Sequence, residues 1–135
     1  MSRSGEPPRF FVDRSLGGVV VPGLLRDAGF TIETMRERYG EHRAQRVADA
    51  EWLADVGAAG LVVLMKDKRI RLRPAERDAV VRYGIRCFCS ARGNLTGVEL
   101  AAAFVAARER IVRACAEPGP FVYQVAVDGG VRRVL

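Results

Sequence analysis

A chain of 135 residues with three cysteines, an odd number, is sized for one domain that buries its core without disulfides or a structural metal. The formal charge of +6 and a sequence pI near 9.9 favour an acidic partner, either nucleic acid or an acidic protein. The start, MSRSGEPPRFF, lacks a signal-peptide apolar core, and no run approaches the roughly 18 residues of a membrane span. The expectation is a soluble cytoplasmic protein with no membrane partner: a single domain over residues 1–135, with 1–8 loose.

In chain order, RFFV is a strand, and GGVVVPGLLRDAG is a helix that opens on glycines and closes on Gly29. FTIETM is a second strand, followed by the polar, Arg-rich segment RERYGEHRAQRVA. DAEWLADVGAAG is a helix with Trp52, Leu53 and Val56 on one face. LVVLM is short, continuous and apolar, as a strand buried on both faces should be. PAERDAVVRYG is a helix with Pro74 at its start, and IRCFCS is a strand that carries Cys87 and Cys89 on the same face, which disfavours a bond between them. LTGVELAAAFVAARERIVRACAE reads as one long helix with Leu100, Phe104, Ala107, Ile111 and Cys115 along one side. PFVYQVAV and VRRVL pair as a hairpin around an Asp-Gly turn. Strands alternating with crossover helices predict an α/β domain with a mainly parallel sheet.

In open parallel sheets the working residues gather beyond the carboxyl ends of the strands. Asp13 follows the first strand directly, Asp67 follows LVVLMK, and Asp49 opens the helix that runs into the LVVLM strand. If the first and LVVLM strands are neighbours, the three carboxylates can meet. Clustered carboxylates repel and raise one another's pKa unless a cation neutralises them, and oxygen ligands suit Mg²⁺ or Mn²⁺. The implied chemistry is metal-assisted attack of water on a phosphodiester. The chain's two lysines, Lys66 and Lys68, flank Asp67 and begin a basic strip with Arg69, Arg71 and Arg73, suited with Arg14 to holding a phosphate backbone.

The order FFVDRSLGG, ADAEWL, VVLMKDKRIRLRP, ARGNLTG resembles the PIN-like nuclease domains, particularly the VapC-type toxins of bacterial toxin–antitoxin pairs, from about Phe10 to the final hairpin. The resemblance implies a three-layer α/β/α fold and an endoribonuclease dependent on Mg²⁺ or Mn²⁺. It further implies RNA as substrate and a cognate antitoxin protein as partner, with a homodimer left open. By that pattern Asp13, Asp49 and Asp67 match the metal-binding catalytic acids, and Glu51 is an additional candidate acid. Met65 stands where the family usually has Thr or Ser, and Glu33, Glu37 and Glu41 are candidates for a mid-chain acid without a matching motif.

Plainer readings exist for each signal. Asp49 could cap its helix, Asp13 and Asp67 could be turn residues, and the basic strip could be a solvated edge. Thr96 with Asn94 reads as a helix cap, His42 as a surface residue, Trp52 and Phe104 as core, and the cysteines lack zinc spacing. The alternative function is a non-catalytic nucleic-acid- or protein-binding module of the same fold.

Overall fold

The structure is a computed structural model that describes residues 7–66 and 69–135. The predicted roles of Asp67 and Lys68, and most of the predicted loose segment 1–8, therefore lie outside the described residues. The chain runs through β1 (Arg9–Val12), α1 (Val20–Asp27), β2 (Thr31–Thr34), α2 (Met35–Tyr39), α3 (Asp49–Ala58), β3 (Val62–Met65), α4 (Pro74–Arg82) and β4 (Arg86–Ser90). It continues through α5 (Gly97–Ala106), α6 (Arg108–Ala114), β5 (Phe121–Val125) and β6 (Val131–Arg133). Six strands form one sheet in the order β2-β1-β3-β4-β5-β6. The first five are mutually parallel, and β6 closes the edge as the antiparallel arm of the predicted hairpin.

Alternation along the strands builds two cores. Phe10, Val12, Val62, Leu64, Phe88 and Phe121 point to one face, where Leu25 of α1 and Leu100, Phe104 and Ile111 of the C-terminal helices cover them. Phe11, Val63, Met65, Cys87, Cys89 and Val122 point to the other, under Trp52, Leu53 and Val56 of α3 and Val80 of α4. The sheet is thus sandwiched in three layers, and β3 is apolar at every position because both of its faces are buried. All three cysteines are buried and outside any disulfide, with Cys87 and Cys89 on one face as predicted.

Three local expectations change. The long C-terminal helix is two: the Ala107 amide divides between the carbonyls of Ala103 and Phe104, 3.1 and 3.2 Å away, a tightening that ends α5 before α6 begins. The predicted face nevertheless survives the break, since Leu100, Phe104, Ala107, Ile111 and Cys115 are all buried. The second strand stops at Thr34 rather than Met35, because Thr34 and Glu37 form a reciprocal capping box that starts α2 at Met35 and carries it into the polar, Arg-rich segment. Asp49 is not the cap of its helix either: Ala48 occupies that position without a side-chain bond, and Asp49 is the first helical residue. Thr96 does cap α5, with Glu99 completing a second capping box.

Candidate active site

The strand order sets the position of the site. From β1 the chain moves outward to β2, then returns past β1 to β3, so the connections leaving β1 and β3 go to opposite faces and a crevice opens between their carboxyl ends. Asp13 stands at that crevice, one residue beyond β1, with its amide donating to the Leu64 carbonyl of β3 at 3.3 Å. A single 3-10 turn, Arg14–Leu16, follows; buried Leu16 anchors it, and Gly17 leaves it at a φ of +78°. The turn brings Ser15 back over the aspartate. The Ser15 hydroxyl donates to Asp13 Oδ1 at 2.5 Å and accepts the Lys66 amide at 3.0 Å. Lys66 is the residue immediately before Asp67 in the chain.

Asp49 arrives from the other layer. Its Oδ1 accepts the indole N–H of Trp52 at 2.9 Å, and that indole packs against Phe11 of β1 with ring centres 5.5 Å apart. One core aromatic therefore fixes the carboxylate relative to the first strand. Arg14 supplies the second restraint: its Nη2 donates to the carbonyls of Ala44 and Val47, at 2.9 and 2.7 Å, in the loop that leads into α3. Its Nη1 lies 3.9 Å from Asp49 Oδ1. Glu51, the additional candidate, points outward to an ion pair with Arg43. Of the mid-chain acids, Glu33 pairs with Arg38, and Glu37 caps α2 and pairs with Arg26.

Asp13 is only 8% exposed. Burial pushes its carboxyl up to about 7, with the negative charge of Asp49 adding to the rise and the Ser15 hydrogen bond and Arg14 opposing it. Two carboxylates therefore share this edge of the sheet, one of them largely deprived of water and the other with the Arg14 guanidinium against it. Among the described residues no three His, Cys, Asp or Glu side chains gather as a metal-binding group.

Of the basic strip, Ile70 is buried and pins the loop to the core. Lys66 and Arg71 are half-buried, and Arg69 is exposed. Arg71 Nε is buried without a hydrogen-bond partner among the described residues. Sequence reasoning passed over Ser15; the available signal was a hydroxyl two residues after a strand-end Asp, placed to bond back onto it.

The crevice between β1 and β3 lies inside a stretch that other proteins share: residues 8–92, which span Asp13, Asp49 and Asp67, match the family model described as "PIN like domain". The chain belongs to the PIN-like domain family. The family match ends at Arg92, and the likeness to a relative runs further along the chain. This PIN-like chain is 48% identical over 115 residues to "Putative ribonuclease VapC45" of Mycobacterium tuberculosis (strain ATCC 25618 / H37Rv), a match covering 85% of this chain and 83% of that protein. No solved structure matches it. Among the described residues no helix is long and apolar enough to cross a membrane.

Proposed function

We propose that this protein is a divalent-metal-dependent endoribonuclease, the toxin of a bacterial toxin–antitoxin pair, acting in the cytoplasm on RNA. The observation that carries the reading is the buried Asp13 at the carboxyl end of β1, held by Ser15 and exposed to the negative charge of Asp49 at the strand-order reversal, a pairing of acids that a bound divalent cation would relieve. The family and the 48% identical relative named as a ribonuclease support it.

Carboxylate oxygens, the donors that Asp13, Asp49 and Asp67 offer, fit a hard ion such as Mg²⁺ or Mn²⁺ rather than zinc. These three acids would hold it. Such an ion, when bound, supplies charge for the phosphoryl oxygens and acidifies a water nucleophile. The chain's own residues do the rest. Asp13 must give up its proton to bind, and Trp52 keeps the Asp49 carboxylate aimed at the crevice by its 2.9 Å hydrogen bond. Lys66, Lys68, Arg69 and Arg71 draw in the RNA backbone and hold its phosphates. An acidic segment of the antitoxin would compete for the same basic strip.

A water nucleophile makes the RNA 2′-hydroxyl unnecessary, so the products should carry 5′-phosphate and 3′-hydroxyl ends. Asp67→Asn should retain RNA binding and lose cleavage by at least about a hundredfold, as expected when a metal-gripping charge is removed. The check is a labelled structured RNA incubated with Mg²⁺ or Mn²⁺, with EDTA as control and the product ends mapped. Cleavage that persists in EDTA, or that leaves 2′,3′-cyclic phosphates, would refute this mechanism.

A further inference from the structure

We propose that Arg14 and Ser15 are positioning residues: the tripeptide Asp13-Arg14-Ser15 ties together the three chain segments that carry Asp13, Asp49 and Asp67. The proposal rests on the metal-site reading above and assigns Arg14 a geometric task in place of an RNA contact.

With Asp13 ionised, the state in which it would bind a metal, the chemistry of the Ser15 hydroxyl leaves one arrangement. It has a single proton, and one of its two partners, the Lys66 amide, is a donor. The proton must therefore go to Asp13 Oδ1, 2.5 Å away, and a lone pair must take the Lys66 N–H at 3.0 Å. One hydroxyl thus fixes the rotation of the Asp13 carboxyl and holds the backbone leaving β3 one residue before Asp67. Loss of the hydroxyl would free both at once, with little effect on the core, since Ser15 is exposed.

Arg14 acts on the other side. The loop from Gly40 to Ala48 contains only a single 3-10 turn, Arg43–Gln45, and the Ala48 cap of α3 makes no side-chain bond. Buried Ala44 and Val47 seat this loop and Trp52 holds the Asp49 carboxylate, but the loop's main chain still needs a tie to the segment that carries Asp13. Arg14 provides it by donating to two main-chain carbonyls, Ala44 and Val47, from a residue adjacent to Asp13. A guanidinium committed to two carbonyls has fewer donors left for phosphate, and its planar fork is not reproduced by an ammonium of equal charge.

The test uses the full-length chain and Mn²⁺ binding measured by calorimetry without RNA, alongside kcat and KM on a labelled RNA. Ser15→Ala should weaken Mn²⁺ binding about tenfold or more, the usual consequence of losing an orienting partner of a metal ligand, and lower kcat with KM unchanged. Ser15→Thr, which keeps the hydroxyl, should restore most of both. Arg14→Lys, which keeps the charge, should also weaken Mn²⁺ binding and leave the salt dependence of RNA binding unaltered. Parent-like Mn²⁺ affinity in Ser15→Ala, or no recovery in Ser15→Thr, overturns the Ser15 assignment. Parent-like Mn²⁺ affinity in Arg14→Lys with altered RNA binding returns Arg14 to the RNA surface. Absence of Mn²⁺ binding in the parent itself would remove the metal reading and this proposal together, a result distinct from all of these.

Discussion

At the scale of the residue, Asp13 makes the fold and the site depend on pH in opposite directions. Its folded value near 7 lies above the 3.8 of an unperturbed Asp, so between about pH 4 and 7 the native state binds a proton that the unfolded state has released. Stability from this group is therefore greatest at low pH and falls as pH rises through that window, by on the order of 4 kcal/mol at the limit. Metal binding requires the carboxylate and should strengthen over the same range, levelling off above pH 7. In EDTA, the melting temperature of the parent should fall more steeply from pH 5 to 8 than that of Asp13→Asn. Added Mn²⁺ should raise the parent most at the alkaline end and leave Asp13→Asn unmoved. Parallel melting curves for the two proteins across this range would show that Asp13 does not carry the charge strain described here. The acid itself was legible from its position after RFFV, but its protonation was not, because desolvation comes from elements distant in sequence.

At the scale of the element, short polar motifs and close approaches decide where helices begin and how they pack. The pattern Thr-x-x-Glu occurs at both Thr34–Glu37 and Thr96–Glu99, and in each case the reciprocal bonds form and the glutamate is held below the usual carboxylate range by the backbone amide it engages. The first of these motifs is written in the sequence, but no apolar periodicity follows it to mark a helix. The division of the C-terminal helix at Ala107 had no comparable signal. The hairpin shows a turn residue serving two purposes. Gly129 adopts a φ of +88°, and a Cβ there would lie 2.8 Å from the Ala106 backbone at the end of α5. The left-handed conformation alone costs an L-residue roughly 1–2 kcal/mol, and the clash adds to it. Gly129→Ala should lower the melting temperature by at least about 5 °C, whereas Gly17→Ala, with φ also positive but open space around its Cβ, should cost less. Thermal unfolding of both variants followed by circular dichroism makes the comparison, and equal losses would remove the close approach as a cause.

At the scale of the whole molecule, the proposed function together with the charge of +6 and the strip after β3 predicts an electrostatic mode of RNA capture. Each phosphate neutralised on a single strand contributes about −0.7 to the slope of log affinity against log salt. Arg69→Glu and Arg71→Glu should each flatten that slope by about one contact's worth when binding is followed in EDTA across a salt series. An unchanged slope would assign the strip to another partner, with an acidic antitoxin segment the next to test.

What the sequence determined by itself is what depends on local pattern. Period-2 and continuous apolar runs specified the strands, 3.6-period faces specified α3 and the C-terminal helices, and the Asp-Gly pair specified the hairpin, because each of these is a relation between residues a few positions apart. The placement of Asp13 after a strand was legible for the same reason. The tertiary structure decided whether the first and third strands would be neighbours, and their pairing through Phe10–Val62 to Val12–Leu64 is what opens the crevice at the acids. It also decided that Arg14 reaches carbonyls 30 and 33 residues away and that Ser15 binds an amide 51 residues on. These contacts follow from the path of the chain through the sheet, and no local spacing in the sequence encodes a distance between segments so far apart.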